Sequence, residues 1–161
     1  MNLHERLHEL LTYNSDTGVF TWTEKAPPKV RKQIAGSKDS YGHVQIQIDK
    51  KIYAAHRLAW LYVHGKLPDY VIDHINGVRD DNRIKNLRDV TILENAQNIR
   101  KPLSNNKSGY LGVSFHKATN KYAANIRVNN VQYYLGVFDT PEKAYDAYIK
   151  AKREFHTTCT I

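Results

Sequence analysis

At 161 residues and 41% hydrophobic content, the chain is long enough for one ordinary domain or two small ones, each with a modest core. Its one cysteine, Cys159, excludes an internal disulfide framework and a multi-cysteine zinc site; no apolar run approaches the roughly 18 residues of a membrane span, and MNLHERLHEL lacks the apolar core of a signal peptide, so a soluble, cytoplasmic chain with no membrane contact is expected. The net charge of +8 points to a polyanion, and its surplus is local: ten Lys/Arg stand against four Asp/Glu from Arg100 onward, and fourteen against twelve before it.

Taken in chain order, Leu3, Leu7, Leu10 and Leu11 recur at helical spacing, which predicts a helix over 3–12. TYNSDTGVFTW then supplies an Asx/Gly turn and a short strand, and Gly36 to Gly42 reads as loop. HVQIQIDKKIYAA alternates apolar and polar residues around Asp49-Lys50, the pattern of an antiparallel hairpin. RLAWLYVHG follows as a short buried helix closed by Gly65.

VIDHINGVRDDNRIKNL, residues 71–87, is the densest polar stretch. Asn76-Gly77, Asp80, Asp81 and Asn82 are turn residues and account for a chain reversal. They do not account for Asp73-His74 before the turn or Asn86 after it, at edges where strand formers belong. Thr91 with Glu94 makes a capping box, so a helix runs through ILENAQNIR and sets Asn95 and Asn98 one turn apart on one face, an unusual use of a poor helix former. Strand, long turn, strand, helix is the predicted order, and it gathers Asp73, His74, Asn86 and Asn95.

That combination suits phosphodiester hydrolysis. A hard divalent ion keeps several waters and needs few protein ligands, a role open to Asp73 and Asn95. Neutral imidazole accepts a proton from water near physiological pH, which makes His74 the candidate base, and the Asn86 amide oxygen is the candidate for holding its other nitrogen. Asp73 and His74 are adjacent, so they can share one site only where the strand ends or distorts.

HRLAWLYVHG, DHINGVRDDNRIKNLR and TILENAQNIR together resemble the HNH homing-type endonucleases, over residues 56–100. The resemblance implies a ββα-metal active site with His74 as base, Asp73 and Asn95 as metal ligands, and Asn86 orienting the histidine. Where better known HNH nucleases carry a histidine, this chain has Asn95, as nicking intron-type members do, which favours Mg²⁺ or Mn²⁺ over a softer metal. Asn82 and Asn98 read as supports of the loop and the site. His56-Arg57 could touch a phosphate but is read as structural, and His4, His8, His43 and His64 show no ligand spacing.

RKPLSNNKSG has no periodicity and only positive charges, as a linker would. YLGVSFHK, KYAANIRV and VQYYLGVF then read as strands, with Asn129-Asn130 as a tight turn, and DTPEKAYDAYIKAKREF as a helix capped by Thr140 with a stripe of Ala144, Tyr148, Ala151 and Phe155. Alternation turns Val113, Phe115, Ile126, Val128 and Leu135 toward the helix and leaves Ser114, His116, Lys121, Asn125, Arg127, Gln132 and Tyr134 facing out. GYLGVSFHK, KYAANIRV and YYLGVFDTPEKAYDAY resemble the ethylene-response-factor (APETALA-like) DNA-binding domain, which implies a sheet face laid in the major groove. Plant members carry arginines where this chain has Leu111 and Ser114, so their base preference does not transfer, and phosphate contacts from Arg100, Lys101 and Lys107 gain weight.

The expected class is therefore α+β: a ββα-metal HNH nuclease core (56–99) with an N-terminal helix and β-hairpin extension in a domain spanning 1–99, a basic linker at 100–108, and a three-stranded antiparallel sheet packed on one helix over 109–161. The expected function is that of the free-standing HNH enzymes found in phages, a Mg²⁺- or Mn²⁺-dependent endonuclease on double-stranded DNA. One site per chain predicts cleavage of one strand per binding event, so a monomer, expected over a homodimer, would nick. The alternative is a non-catalytic DNA-binding regulator on a nuclease-like scaffold, which leaves Asp73-His74 unexplained, as does an RNA-binding reading.

Overall fold

The computed structural model describes residues 2–156 and 158–160. Contacts divide the chain into two compact units, 1–91 and 92–161.

The first unit begins with α1 (Leu3–Leu10), whose Asn2 and Glu5 form a reciprocal capping box. Leu11 leaves the expected helix and opens β1 (Leu11–Asn14), which pairs antiparallel with β2 (Val19–Trp22). The strand-forming Thr12 and Tyr13 that follow, and the Asn14 side chain that caps the turn through Asp16 and Thr17, end the helix two residues early. The span expected as loop holds β3 (Ser37–Lys38), which pairs with β4 (Val44–Ile48) and so makes the hairpin with β5 (Lys51–Ala54) a three-stranded sheet. Asp49 and Lys50 both take positive φ at its tip. α2 (Ala55–His64) follows β5 without a break and stops at Gly65 in the left-handed conformation.

β6 (Val71–His74) and β7 (Leu87–Val90) form an antiparallel pair with Asp73 opposite Arg88 and His74 opposite Leu87. Between them runs the long turn, ending in a short 3-10 turn at Ile84–Asn86. The apolar face of α2, through Leu58, Ala59 and Leu61, is buried in one core with Leu7, Leu10, Leu11, Tyr13, Phe20, Ile46 and Ile48, and Ile72 and Leu87 of the β6–β7 pair join it. Each such leucine contributes about 1.5–3 kcal/mol by leaving water, so the N-terminal extension is the support on which α2 and the polar turn stand.

The second unit starts with α3 (Ile92–Gln97), shorter than the expected helix and leaving Asn98 outside it. The segment after Thr91 groups with the C-terminal part of the chain, not with residues 1–91. Long-range bonds explain this: Thr158 Oγ1 donates to the Glu94 carbonyl at 2.8 Å, Thr160 Oγ1 to Asn98 Oδ1 at 2.6 Å, and Lys152 Nζ to the Ile99 carbonyl at 2.5 Å. Lys152 is only 1% exposed, and burial pushes its ammonium down from its ordinary value.

β8 (Val113–His116), β9 (Lys121–Val128) and β10 (Val131–Phe138) form an antiparallel sheet in the order β10-β9-β8, with Asn129 and Asn130 at positive φ between the last two. α4 (Pro141–Phe155), capped by Thr140, packs on it through Ala144, Tyr148 and Ala151 against Val113, Ala124 and Ile126. Gly112 has no side chain because a Cβ there would overlap the Tyr148 ring. Two expected inward residues stay out: Phe155 is 47% exposed and stacks with Tyr133, and Phe115 is 43% exposed, with its ring against Tyr122.

Candidate active site

Asp73 and His74 are buried at the end of β6, at 7% and 5% exposure. The strand finishes there. Ile75 N–H donates to the Asn86 carbonyl and Gly77 N–H to the His74 carbonyl, each at 2.8 Å, so pairing gives way to turn geometry directly after His74. Alternation turns the two side chains to opposite faces of the strand. Asp73 faces its cross-strand partner: Arg88 Nε and Nη2 both donate to Oδ2, at 2.9 and 2.6 Å. A carboxylate that is nine-tenths buried needs such a cation, and it is also the kind of hard oxygen donor that Mg²⁺ or Mn²⁺ takes.

His74 Nε2 lies 3.0 Å from Oδ1 of Asn82, which is 2% exposed. This corrects the expected partner. Asn86 is occupied with the turn itself: its Oδ1 accepts from Asn76 N–H at 3.0 Å and its Nδ2 donates to the Asp81 carbonyl at 2.7 Å. The 3-10 turn aims Asn86 back across the loop, whereas Asn82 sits at the loop's far bend, against the histidine.

Asn82 is held by two remote features. Tyr13 donates its hydroxyl to the Asn82 carbonyl at 2.6 Å, and burial raises this phenol to about 12. Gly18, at φ +74°, passes so close that a Cβ there would stand 2.5 Å from Asn82 C and 2.4 Å from Arg83 N. Asp81 organises the rest of the bend, accepting from Asn76 Nδ2 at 2.6 Å and from Arg83 Nε at 2.7 Å. The Arg83 guanidinium, then the Asn76 amide, holds the Asp81 carboxyl down at about 2.

Two histidines, His43, which carried no assignment, and His56, which was read as structural, stand beside His74. Ring centroids are 5.7 Å apart for His43–His74, 5.2 Å for His56–His74 and 5.4 Å for His43–His56, and one nitrogen from each lies within 4.8 Å of the others. His56 is the second residue of α2 and rises from the end of the hairpin. His43 is placed by an Asp39 turn: Oδ1 accepts from Tyr41 and His43 N–H at 2.8 and 2.9 Å, and Asp39 N–H returns a bond to the His43 carbonyl. Arg79, from the long turn, donates to the Tyr41 carbonyl at 2.8 Å and ties the two loops together. Burial, and then the neighbouring His74, lowers both imidazoles, His56 to about 4. The only sequence signal for this trio is an Asp four residues before His43 and a histidine directly after a hairpin.

The remaining expected site residues lie in the second unit. Asn95 is exposed on α3. On the sheet, the register pairs His116 with Lys121, Arg127 with Gln132, and Asn125 with Tyr134, so these six share one face with Ser114, and all but the half-buried Asn125 are exposed. Ser114, Asn125, Arg127 and Gln132 line one shallow depression. Lys121 pairs with Asp139 at 3.0 Å. Lys101 and Lys107 are exposed, but Arg100 turns inward and donates to Thr160 Oγ1.

The stretch from Tyr53, in β5, to Gln97, at the end of α3, carries every residue of the polar turn together with His56. Residues 53–97 match the HNH endonuclease family. This HNH segment includes Asp73, His74, Asn82, Asn86 and Asn95 and leaves out His43. Among solved structures, the chain is similar to the HNH homing endonuclease I-HmuI, described for its binding and cleavage of DNA, at 19% identity and a TM-score of 0.45, over 85% of this chain and 76% of that one. No curated protein matches the chain. Among the described residues, no helix is long and apolar enough to cross a membrane.

Proposed function

We propose that the chain is a metal-dependent DNA endonuclease that hydrolyses phosphodiester bonds in duplex DNA and, as a monomer, nicks one strand per binding event. The observation that carries the reading is His74: it is buried at the end of a strand, its ring is fixed by Asn82, it adjoins a buried carboxylate, and it lies in the segment that matches HNH endonucleases. A proton on Nε2 given to Asn82 Oδ1 leaves the other ring nitrogen with its lone pair, which can take a proton from water. That water attacks the phosphorus in line with the leaving 3′ oxygen, giving 5′-phosphate and 3′-hydroxyl ends.

Asp73 and Asn95 are the proposed oxygen ligands. When bound, Mg²⁺ or Mn²⁺ offsets charge at the scissile phosphate and the leaving oxygen. Arg88 keeps the Asp73 carboxylate compensated in the metal-free protein. The outward face of the C-terminal sheet, with Ser114, His116, Lys121, Asn125, Arg127, Gln132 and Tyr134, serves as the DNA-positioning surface, and Lys101 and Lys107 add phosphate contacts. Absence of acidic residues from Arg100 to Phe138 supports this.

The test is relaxation of supercoiled plasmid in millimolar Mg²⁺, with EDTA and His74→Ala as controls. Wild-type protein should produce open circles only with metal, and the variant almost none. Intact plasmid with wild type, or equal relaxation by His74→Ala, refutes the assignment, and a plain DNA binder would leave the plasmid whole in every lane.

A further inference from the structure

His43, His56 and His74 come from three separate elements, yet their rings converge. Two of the three present a problem that the nuclease reading does not solve. His43 Nδ1 and His56 Nδ1 are both buried with no hydrogen-bond partner. A buried ring nitrogen without a partner costs about 1–3 kcal/mol, and two adjacent ones in a small domain call for a compensating ligand. The bonds of Asp39 and Arg79 hold the His43 loop in this position.

We propose that His43, His56 and His74 form a binding site for a borderline transition metal, with Zn²⁺ the best match, separate from the oxygen-ligand position at Asp73, and that filling it inhibits the nuclease. Three neutral imidazoles are the donor set of a tetrahedral ion with one position left to solvent, and a poor one for Mg²⁺, which requires oxygen. The geometry is close. Three nitrogens within 4.8 Å of one another lie at most about 2.8 Å from a common centre, so rotations that move each inward by less than about 1 Å give the roughly 2.0–2.1 Å bonds zinc makes.

The inhibitory half rests on the proposed function, and it follows from lone-pair counting. A neutral imidazole has a single lone pair on its ring nitrogens. The same pair either accepts a proton from water or binds the metal. A base that is a zinc ligand is no longer a base. The site would silence the enzyme when a soft metal is abundant, without any change of fold.

His4 and His8, one turn apart on α1 with their Nε2 atoms 3.0 Å from each other, are a competing exposed pair, so the experiment uses full-length protein carrying His4→Gln and His8→Gln. Co²⁺ is titrated as a spectroscopic probe and displaced with Zn²⁺, while histidine ring signals are followed by NMR. The expected result is one Co²⁺ per chain with intense visible bands of tetrahedral type, displacement by one Zn²⁺, and movement of the ring signals of His43, His56 and His74 alone. His43→Asn and His56→Gln should each weaken Zn²⁺ binding by about tenfold or more.

In plasmid nicking with Mg²⁺, Zn²⁺ should inhibit the background protein. The His43→Asn/His56→Gln double variant should nick and resist Zn²⁺ at the same concentration. Weak octahedral Co²⁺ bands, or Zn²⁺ shifts at other histidines, overturn the site itself and need no variant to fold. Zn²⁺ binding at the trio with undiminished nicking overturns the inhibition. Tetrahedral Co²⁺ in a protein that never nicks keeps the site and removes the nuclease reading, so the two failures are separable.

Discussion

Replacing Gly18 with alanine tests whether a turn in the N-terminal extension sets the position of Asn82, and through it His74. Two costs add. The φ of +74° is the left-handed region, where an L-side chain loses about 1 kcal/mol or more relative to glycine. The new Cβ would also stand 2.4 Å from Arg83 N and 2.5 Å from Asn82 C, which are backbone atoms of a loop already tied by Tyr13, Asp81 and Asn86. Relieving that overlap means moving the loop by about 1 Å, an overpacking cost of about 1–3 kcal/mol. Gly18→Ala should therefore lower stability by about 2–4 kcal/mol in urea titrations, seen as a lower midpoint with little change in slope. Gly65→Ala is the control, since Gly65 has φ +71° and nothing within 4 Å of its virtual Cβ, and should show only the conformational part of about 1 kcal/mol. Nicking by the folded fraction of Gly18→Ala should fall about ten- to a hundredfold because the Asn82 oxygen has moved. If the two glycine variants lose equal stability, or if Gly18→Ala nicks normally, the extension does not position the site in the way argued here.

Asn82→Ala should reduce nicking and alter the ring NMR signals of His74, whereas Asn86→Ala should destabilise the long turn by about 1–3 kcal/mol and leave the tautomer of His74 unchanged; the reverse outcome restores Asn86 as its partner. Arg88→Ala leaves the Asp73 carboxylate without its cation and should cost about 3 kcal/mol in EDTA, while Mg²⁺ raises Tm more in this variant than in wild type; equal Mg²⁺ responses would count against metal binding at Asp73. Asp81 titrates near 2 in the folded protein against an ordinary 3.8, so its stabilisation is complete above about pH 4 and is lost as pH falls toward 2. With the Arg83 side chain 39% exposed, solvent screening limits the effect to about 1 kcal/mol, and acid titration of Asp81→Asn should lack that component.

The elements that could be read from the chain are those whose cause is local. Alternation in HVQIQIDKKIYAA gives β4 and β5, the Gly65 stop ends α2, and the Asn129-Asn130 turn joins β9 to β10 because these signals act between near neighbours. Three misreadings have non-local causes. Leu11 keeps helical spacing, yet it is better buried as the first residue of β1, paired with Trp22. Ser37–Lys38 has no strand pattern and becomes β3 only because the edge of β4 offers it partners. The helix after Thr91 ends at Gln97 where Asn98 and Ile99 bond to Thr160 and Lys152, residues more than fifty positions away.

The polar turn shows the same limit at finer scale. Asp73 and His74 stand out in the sequence because carboxylate and imidazole are out of place at a strand edge, and burial at 7% and 5% makes them more so. Which asparagine meets His74 is another matter. Asn82 and Asn86 differ by one 3-10 turn, and the choice is made by Tyr13 and Gly18, which belong to a hairpin outside the HNH segment and draw the Asn82 backbone toward the histidine. His43 reaches the same histidine from another loop outside that segment. The family match over 53–97 covers the proposed reacting groups, while Tyr13, Gly18 and His43, which lie against Asn82 and His74, belong to the 52 residues before it. Exchange of residues 1–52 for those of another chain with the same family match should alter the setting of Asn82 and the histidine trio while leaving Asp73 and His74 in place.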